Sequence, residues 1–172
     1  MITARTFHSI PSRILVPIDF STSTNAAVQM AAELAHHFHA DLILINVIPI
    51  FPVTTLPDFV PEEKFLEDAR AHADLHLKRY IKTETAKGVN VTSSIETGND
   101  VAEKIMEVVE RENIDMIVLS THGISGWRPL VFGSIAEKII KLVQCPLLLL
   151  RSVKPVQETL NPSADSMEEQ LF

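Results

Sequence analysis

The residues from Leu119 to Ser134, LSTHGISGWRPLVFGS, gather hydroxyls, glycines, a histidine and an arginine into one stretch. Ahead of it, the apolar run Met116–Leu119 has the composition of a buried strand. Behind it, Ile135-Ala136-Glu137-Lys138-Ile139-Ile140-Lys141-Leu142-Val143 has helical spacing. A glycine-punctuated loop between a strand and a helix suits an anion. The helix N-terminus leaves backbone N–H groups unpaired and carries partial positive charge. Gly123 and Gly133 have no Cβ to hold the backbone away from a phosphate. Ser134-Ile135-Ala136-Glu137 also reads as a capping box, which still leaves other first-turn N–H groups for an anion.

Other residues invite chemistry and meet simpler readings. His122 suggests a general base, but no carboxylate or serine partner is identifiable for a triad. Arg128 could grip a terminal phosphate with two hydrogen bonds or stand as a solvated charge. Trp127 could be a lid or a surface packing residue. His72 and His76 have the i, i+4 spacing of two metal ligands on a helix. His76 falls within an apolar stripe, however, and no third ligand is evident, so boundary packing is favoured. The His36-His37-Phe38-His39 cluster fits a helix C-terminus, where positive charge is welcome. Cys145, before an apolar run, reads as a small core residue.

The elements that must position the loop alternate along the chain. Arg13–Ile18 is an apolar strand, and Asp19-Phe20-Ser21-Thr22-Ser23 is loop chemistry. Ala26, Ala27, Met30, Ala31, Leu34, Ala35 and Phe38 then repeat at helical spacing. Leu42–Ile48 is a second strand, followed by a proline-bearing loop from Pro49 to Val60. Pro61-Glu62-Glu63 opens a helix whose stripe is Phe65, Ala69, Ala73, Leu77, Tyr80 and Ile81, and Gly88 fits its end. Val89–Glu96 is a third strand. Asp100-Val101-Ala102-Glu103 resembles a capping box for a helix bearing Ile105, Val108 and Val109. Met116–Ser120 is the fourth strand and Pro146–Leu150 the fifth.

Near-continuous apolar strands imply burial on both faces. The fold class is therefore α/β, a doubly wound five-stranded parallel sheet with helices on both faces, and the order expected for it is 3-2-1-4-5. In such a sheet, ligands bind beyond the carboxyl ends of the strands where the order reverses. That point lies between strands one and four, whose ends are Ile18-Asp19 and Ser120-Thr121. A phosphate on the loop with a sugar or base near Asp19 would be a sensible nucleotide pose. Asp19 could instead cap the first helix or make an Asx-turn.

At this point the chain resembles the universal stress protein family, in its single-domain ATP-binding form, over about residues 10–151. Pro17-Ile18-Asp19 and Asn46-Val47 bear the resemblance at the ends of strands one and two. The most specific feature is the loop. The family pattern is G-x-x-G, nine residues, then G-S or G-T; here it reads Ser120-Thr121-His122-Gly123, Ile124 to Phe132, then Gly133-Ser134. Ser120 stands where the pattern has its first glycine, and its hydroxyl can donate to a phosphate. The resemblance implies an adenine-nucleotide sensor of stress response. Asp19 would contact the ribose, the Val47 backbone the adenine, and Gly123, Gly133 and Ser134 the phosphates. Pro17, Ile18, Ser120, Thr121, His122 and Ile135 would complete the site. The cofactor would be ATP, AMP or ADP, with Mg2+ accompanying ATP.

Composition agrees with this class. The chain has 172 residues, 46% of them apolar, and a formal net charge of −7. That charge disfavours non-specific binding to nucleic acid or an anionic membrane. No apolar run reaches the roughly 18 residues of a membrane span. One cysteine rules out an internal disulfide framework and points to a cytoplasmic address. Residues 1–9 read as a flexible leader and 152–172 as a mobile or loosely docked tail. Three rivals remain: a slow ATP hydrolase, which lacks a loop lysine and a P-loop motif; a flavodoxin-like carrier, whose Ser21–Asn25 segment has no glycine; and a nucleotide-free interaction module of the same fold. Finally, Leu147–Leu150 should form the sheet edge. Pairing of two such edges in a homodimer is expected over cover by the tail, where Pro155 and Pro162 lack N–H donors.

Overall fold

The computed structural model describes residues 10–50, 62–85, 87–121 and 133–151. The leader, most of the proline-bearing loop, the loop segment from His122 to Phe132 and the tail lie outside the described residues. The elements are β1 (Arg13–Pro17), α1 (Thr22–Phe38), β2 (Asp41–Pro49), α2 (Glu62–Thr85), β3 (Val91–Gly98), α3 (Val101–Arg111), β4 (Met116–Ser120), α4 (Ser134–Leu142) and β5 (Leu147–Leu150). The five strands are all parallel, in the order β3-β2-β1-β4-β5.

Alternation along the strands divides the core in two. On one face Ile14, Val16, Leu42, Leu44 and Val118 pack with Ala27, Val28, Ala31 and Ala35 of α1 and Leu77 of α2. On the other face Leu15, Ile43, Ile45, Ile117 and Leu119 pack with Ile105, Val108 and Val109 of α3 and Ala136 and Ile139 of α4. The alanine stripe of α1 lets that helix lie close to the sheet, where each larger side chain would push it away. The central strand β1 shows the logic most clearly, since Ile14, Leu15 and Val16 are fully buried on both sides.

Helix ends follow local chemistry. Ser21 caps α1, its side chain accepting from the Thr24 N–H at 3.3 Å. Asp100 caps α3, accepting from the N–H groups of Ala102 and Glu103, as its capping-box spacing leads one to expect. α1 closes on His39 in the left-handed region at φ 56°, its N–H donating to the Ala35 carbonyl. Gly88, at φ 86°, follows α2 and donates its N–H to the Thr85 carbonyl. That conformation suits glycine because a Cβ would clash there.

The strands differ from the sequence expectation by one residue at the end of β1, at both ends of β2 and at the start of β5, and by two at each end of β3. β3 starts at Val91, not Val89, and runs on to Gly98. Val89 is buried, but its N–H donates to the Glu84 carbonyl at 3.3 Å, so it still belongs to the turn. The strand's length is set by its partner, because Leu42–Pro49 pairs residue for residue with Val91–Gly98. β5 lies at the sheet edge, paired along Ile117–Ser120, and all four of its leucines are half-buried.

Candidate functional site

Three chain segments meet at the carboxyl end of the sheet centre. The first is the exit of β1. Pro17 ends the strand, and the next residue, Ile18, stays buried while its N–H donates to the Ile45 carbonyl at 2.7 Å. The Asn46 side chain, itself buried, donates through Nδ2 to the Ile18 carbonyl at 2.8 Å. An asparagine inside an apolar strand thus fixes the point where the chain leaves the sheet. This role has a sequence signal, a lone amide within Leu42–Ile48, that periodicity alone does not interpret.

Asp19 follows immediately. Its Oδ1 accepts from the Ser21 N–H at 3.0 Å and from the Thr24 hydroxyl. The Asx-turn reading is therefore realised, and the carboxylate is fixed over the start of α1. Ser21, Ser23 and Thr24 hydroxyls join it, with Ser21 Oγ 2.8 Å from Ser23 Oγ and 3.2 Å from Thr24 Oγ1. Between Asp19 and Ser21 stands Phe20 at φ 62°. A bulky residue in the left-handed region is uncommon and is maintained by its surroundings. Nothing in the residue types announces it.

The second segment is the exit of β4. Ser120 ends the strand, and the Thr121 N–H donates to the Leu150 carbonyl at 2.9 Å. The Thr121 carbonyl in turn accepts from the Gly133 N–H at 2.9 Å. This single bond brings together the two ends of the loop, so that α4 starts directly beside the end of β4. His122 and Gly123 lie between these ends, outside the described residues.

The third segment is the start of α4, and here one expectation is corrected. Ser134 does not cap the helix; Gly133 does. Gly133 is extended at φ −58° and ψ 150°, and its carbonyl accepts the first helical bond, from the Glu137 N–H at 2.9 Å. Ser134 is already helical, so its hydroxyl cannot reach back in the manner of a cap. Among the described residues no side chain caps this helix. Helix geometry leaves the N–H groups of Ser134, Ile135 and Ala136 without acceptors inside the helix. Ser134 and Ile135 are exposed at that end.

Gly133 itself is not demanded by the fold. Its φ is negative, and a Cβ there would find the Thr121 carbonyl oxygen at 3.5 Å, an ordinary contact. Among the described residues, the absence of a side chain therefore relieves no clash.

Val47 stands at the corresponding end of β2, paired with Glu96 and half-buried against the α3–α4 face. Pro17, Ile18, Asp19, Val47, Ser120, Thr121, Gly133, Ser134 and Ile135 thus share one end of the sheet, although Val47 lies a strand further out. Nearby charges are arranged structurally. Lys138 of α4 pairs with Asp100 at 2.7 Å, linking α4 to the cap of α3. That hydrogen bond, with the Glu103 N–H next, holds the Asp100 carboxyl below its ordinary range. Burial raises the Tyr80 phenol, and the Asp19 charge adds to the effect.

His72 and His76 do not gather a metal-ligand set: among the described residues no group of three or more His, Cys, Asp or Glu side chains could hold a metal. Their rings pack against Phe20. Among the described residues, no helix is long and apolar enough to cross a membrane.

With this geometry in view, the comparisons with known proteins are direct. The model of the universal stress protein family matches residues 11–151. The chain belongs to the universal stress protein family. A universal stress protein of Methanocaldococcus jannaschii is 29% identical over 150 residues, covering 87% of this chain and 88% of that one. The solved universal stress protein UspA from Lactobacillus plantarum superposes with a TM-score of 0.73 at 22% identity, over 84% of this chain and 100% of its own. Two further family structures share the fold. One, in complex with cAMP, has a TM-score of 0.63 at 17% identity over 83% of this chain and 98% of its own. The other, from Archaeoglobus fulgidus in complex with dAMP, has a TM-score of 0.58 at 18% identity over 80% and 96%.

The cap geometry yields a stability test. Serine at an N-cap is better than glycine by a few tenths of a kcal/mol, and losing a glycine reduces unfolded-chain entropy by about 0.4–1 kcal/mol. Gly133→Ser is therefore expected to stabilise the protein by about 0.5–1 kcal/mol in urea unfolding. A loss of stability would show that the fold, and not an open space, requires this glycine.

Proposed function

We propose that this universal stress protein is an adenine-nucleotide sensor that binds ATP, or ADP or AMP, beyond the carboxyl ends of β1 and β4. The observation that bears most of the weight is the start of α4, a helix with no side-chain cap, led by a glycine and placed at the reversal of strand order. Its first-turn N–H groups suit phosphate oxygens. Gly123 and Gly133 let the backbone approach, and Ser134, Ser120 and Thr121 add hydroxyls. Asp19 suits a ribose hydroxyl, since an ionised carboxylate is a hydrogen-bond acceptor. The Val47 backbone, with Pro17 and Ile18 beside it, suits the adenine. The family relatives solved with cAMP and dAMP support the ligand class. Mg2+ would come with ATP, held through the phosphates, and would neutralise their charge.

The role we propose is sensing with little or no turnover, in the cytoplasm. Fast phosphoryl transfer needs a positioned cation and a base or water-orienting group. The loop has Arg128 but no lysine, and His122 has no identifiable triad partner.

The reading makes two predictions. Gly123→Val puts a branched side chain where backbone must meet phosphate, and is expected to weaken ATP binding about tenfold or more, a change of ~1.4 kcal/mol or above. Calorimetric titration of the folded variant measures this; an unchanged affinity removes the site.

The second concerns assembly through β5. An open edge of four half-buried leucines invites pairing. Ile135, Ile140 and Leu142 of α4 are exposed as well. Two edges can pair about a two-fold axis and close the assembly. Sedimentation at micromolar concentration is expected to give a homodimer. A monomer that dimerises only when residues 152–172 are deleted would assign the protection of this edge to the tail instead.

A further inference from the structure

Phe20 is the one residue between Asp19 and the Ser21 cap, and it sits in the left-handed region at φ 62°. What holds it there comes from another element. His72 and His76 of α2 lie one turn apart, with ring centroids 4.4 Å from each other. The Phe20 ring centroid is 5.1 Å from that of His76 and 6.0 Å from that of His72, the latter nearly edge-on at 86°. These are distances at which aromatic rings attract. The rest of the Phe20 side chain packs on the α1–α2 core. The backbone of the Asp19 turn is thus gripped through its neighbour by two imidazoles.

We infer that Phe20 is a positioning residue for Asp19, that the His72–His76 pair is the clamp holding it, and that the clamp loosens when the pair becomes charged, so that nucleotide affinity falls in mild acid. This rests on the proposal that nucleotide contacts Asp19.

The chemistry runs in two steps. One imidazolium is compatible with the face of a phenyl ring. A second, with its centroid 4.4 Å from the first, meets like-charge repulsion. The groups acting on His76 point the same way. Burial disfavours its charged form most, then the charge of His72, then that of Arg79 on the same helix, so its imidazole is held below the ordinary 6.5. Asp19 in the adjoining turn acts on Tyr80, one turn on from His76 in α2, whose phenol is raised by burial first and by the Asp19 charge second. With its folded value below the unfolded one, His76 contributes stability that is complete above pH ~6.5. That contribution is lost as the pH falls through the lower folded value.

The test compares ATP affinity at pH 7.5 and 5.5 for the full chain and for the double variant His72→Gln, His76→Gln. ATP's own phosphate titrates in this range, and the variant accounts for that part. On acidification the wild type is expected to lose affinity severalfold, on the order of threefold or more, beyond the loss seen in the variant. The variant, lacking the ring contacts, should bind more weakly at pH 7.5. Parallel pH profiles would overturn the inference.

A second readout works without nucleotide. In the wild type, the Asp19, Phe20 and Ser21 amide resonances should move with the His76 titration. Resonances that stay still while His76 titrates would overturn the clamp, whether or not ATP binds and whether or not the variant folds. Absence of ATP binding at both pH values, with those resonances moving, would instead remove the nucleotide reading and leave the clamp standing.

Discussion

The structure depends on one topological constraint. β1 and β4 are neighbours in the sheet, yet the helices that follow them leave to opposite faces. α1 packs over Ile14 and Val16, while α4 packs with Leu15 and Ile117 on the other side. Chains that part in this way open a crevice at the carboxyl ends of the two strands. Two backbone fastenings define its walls. Asn46 and Ile45 hold Ile18 at the exit of β1, and Thr121 holds Gly133 beside the exit of β4. Neither contact is with a group that could do chemistry; both set where such groups stand.

Within that crevice the three capped or cappable helices are treated differently. α1 and α3 have side-chain caps from Ser21 and Asp100. α4 has a glycine in that position and an exposed first turn. A serine or aspartate cap would be the more stable choice over glycine by a few tenths of a kcal/mol. Its absence leaves the first-turn N–H groups at the strand-order reversal without a side-chain acceptor among the described residues. The Asp19 turn supplies the opposite kind of group, a carboxylate fixed by Ser21 and Thr24.

Much of this was legible in the chain. The alternation of apolar runs with 3.6-residue periodicity gave the class of the sheet, because buried parallel strands leave a simple compositional trace; the strand order leaves no such trace and was an expectation that the structure bears out. That Asp19 and Gly133 stand at the same end of the sheet followed from topology. The α4 cap was misplaced because Ser134-Ile135-Ala136-Glu137 has the residue types of a capping box, while only backbone dihedrals reveal that Gly133 occupies the cap. β3 was misplaced by two residues since Val89 is buried from within a turn, and burial and strand pairing look alike in sequence. The left-handed Phe20 and its imidazole neighbours were hidden for another reason. They arise from packing between the β1–α1 turn and α2, more than 50 residues apart in sequence, and no local propensity encodes that contact.

The central claim is that adenine nucleotide occupies the crevice between β1 and β4. An ATP titration followed on backbone amide resonances of the full chain tests it most directly. The account predicts that the amides of Ser134, Ile135 and Ala136 shift together with those of Val47 and the Asp19–Ser21 turn, with one common affinity. Saturable binding that leaves the first turn of α4 unmoved and shifts residues elsewhere, or no shifts at all at millimolar ATP, would contradict it.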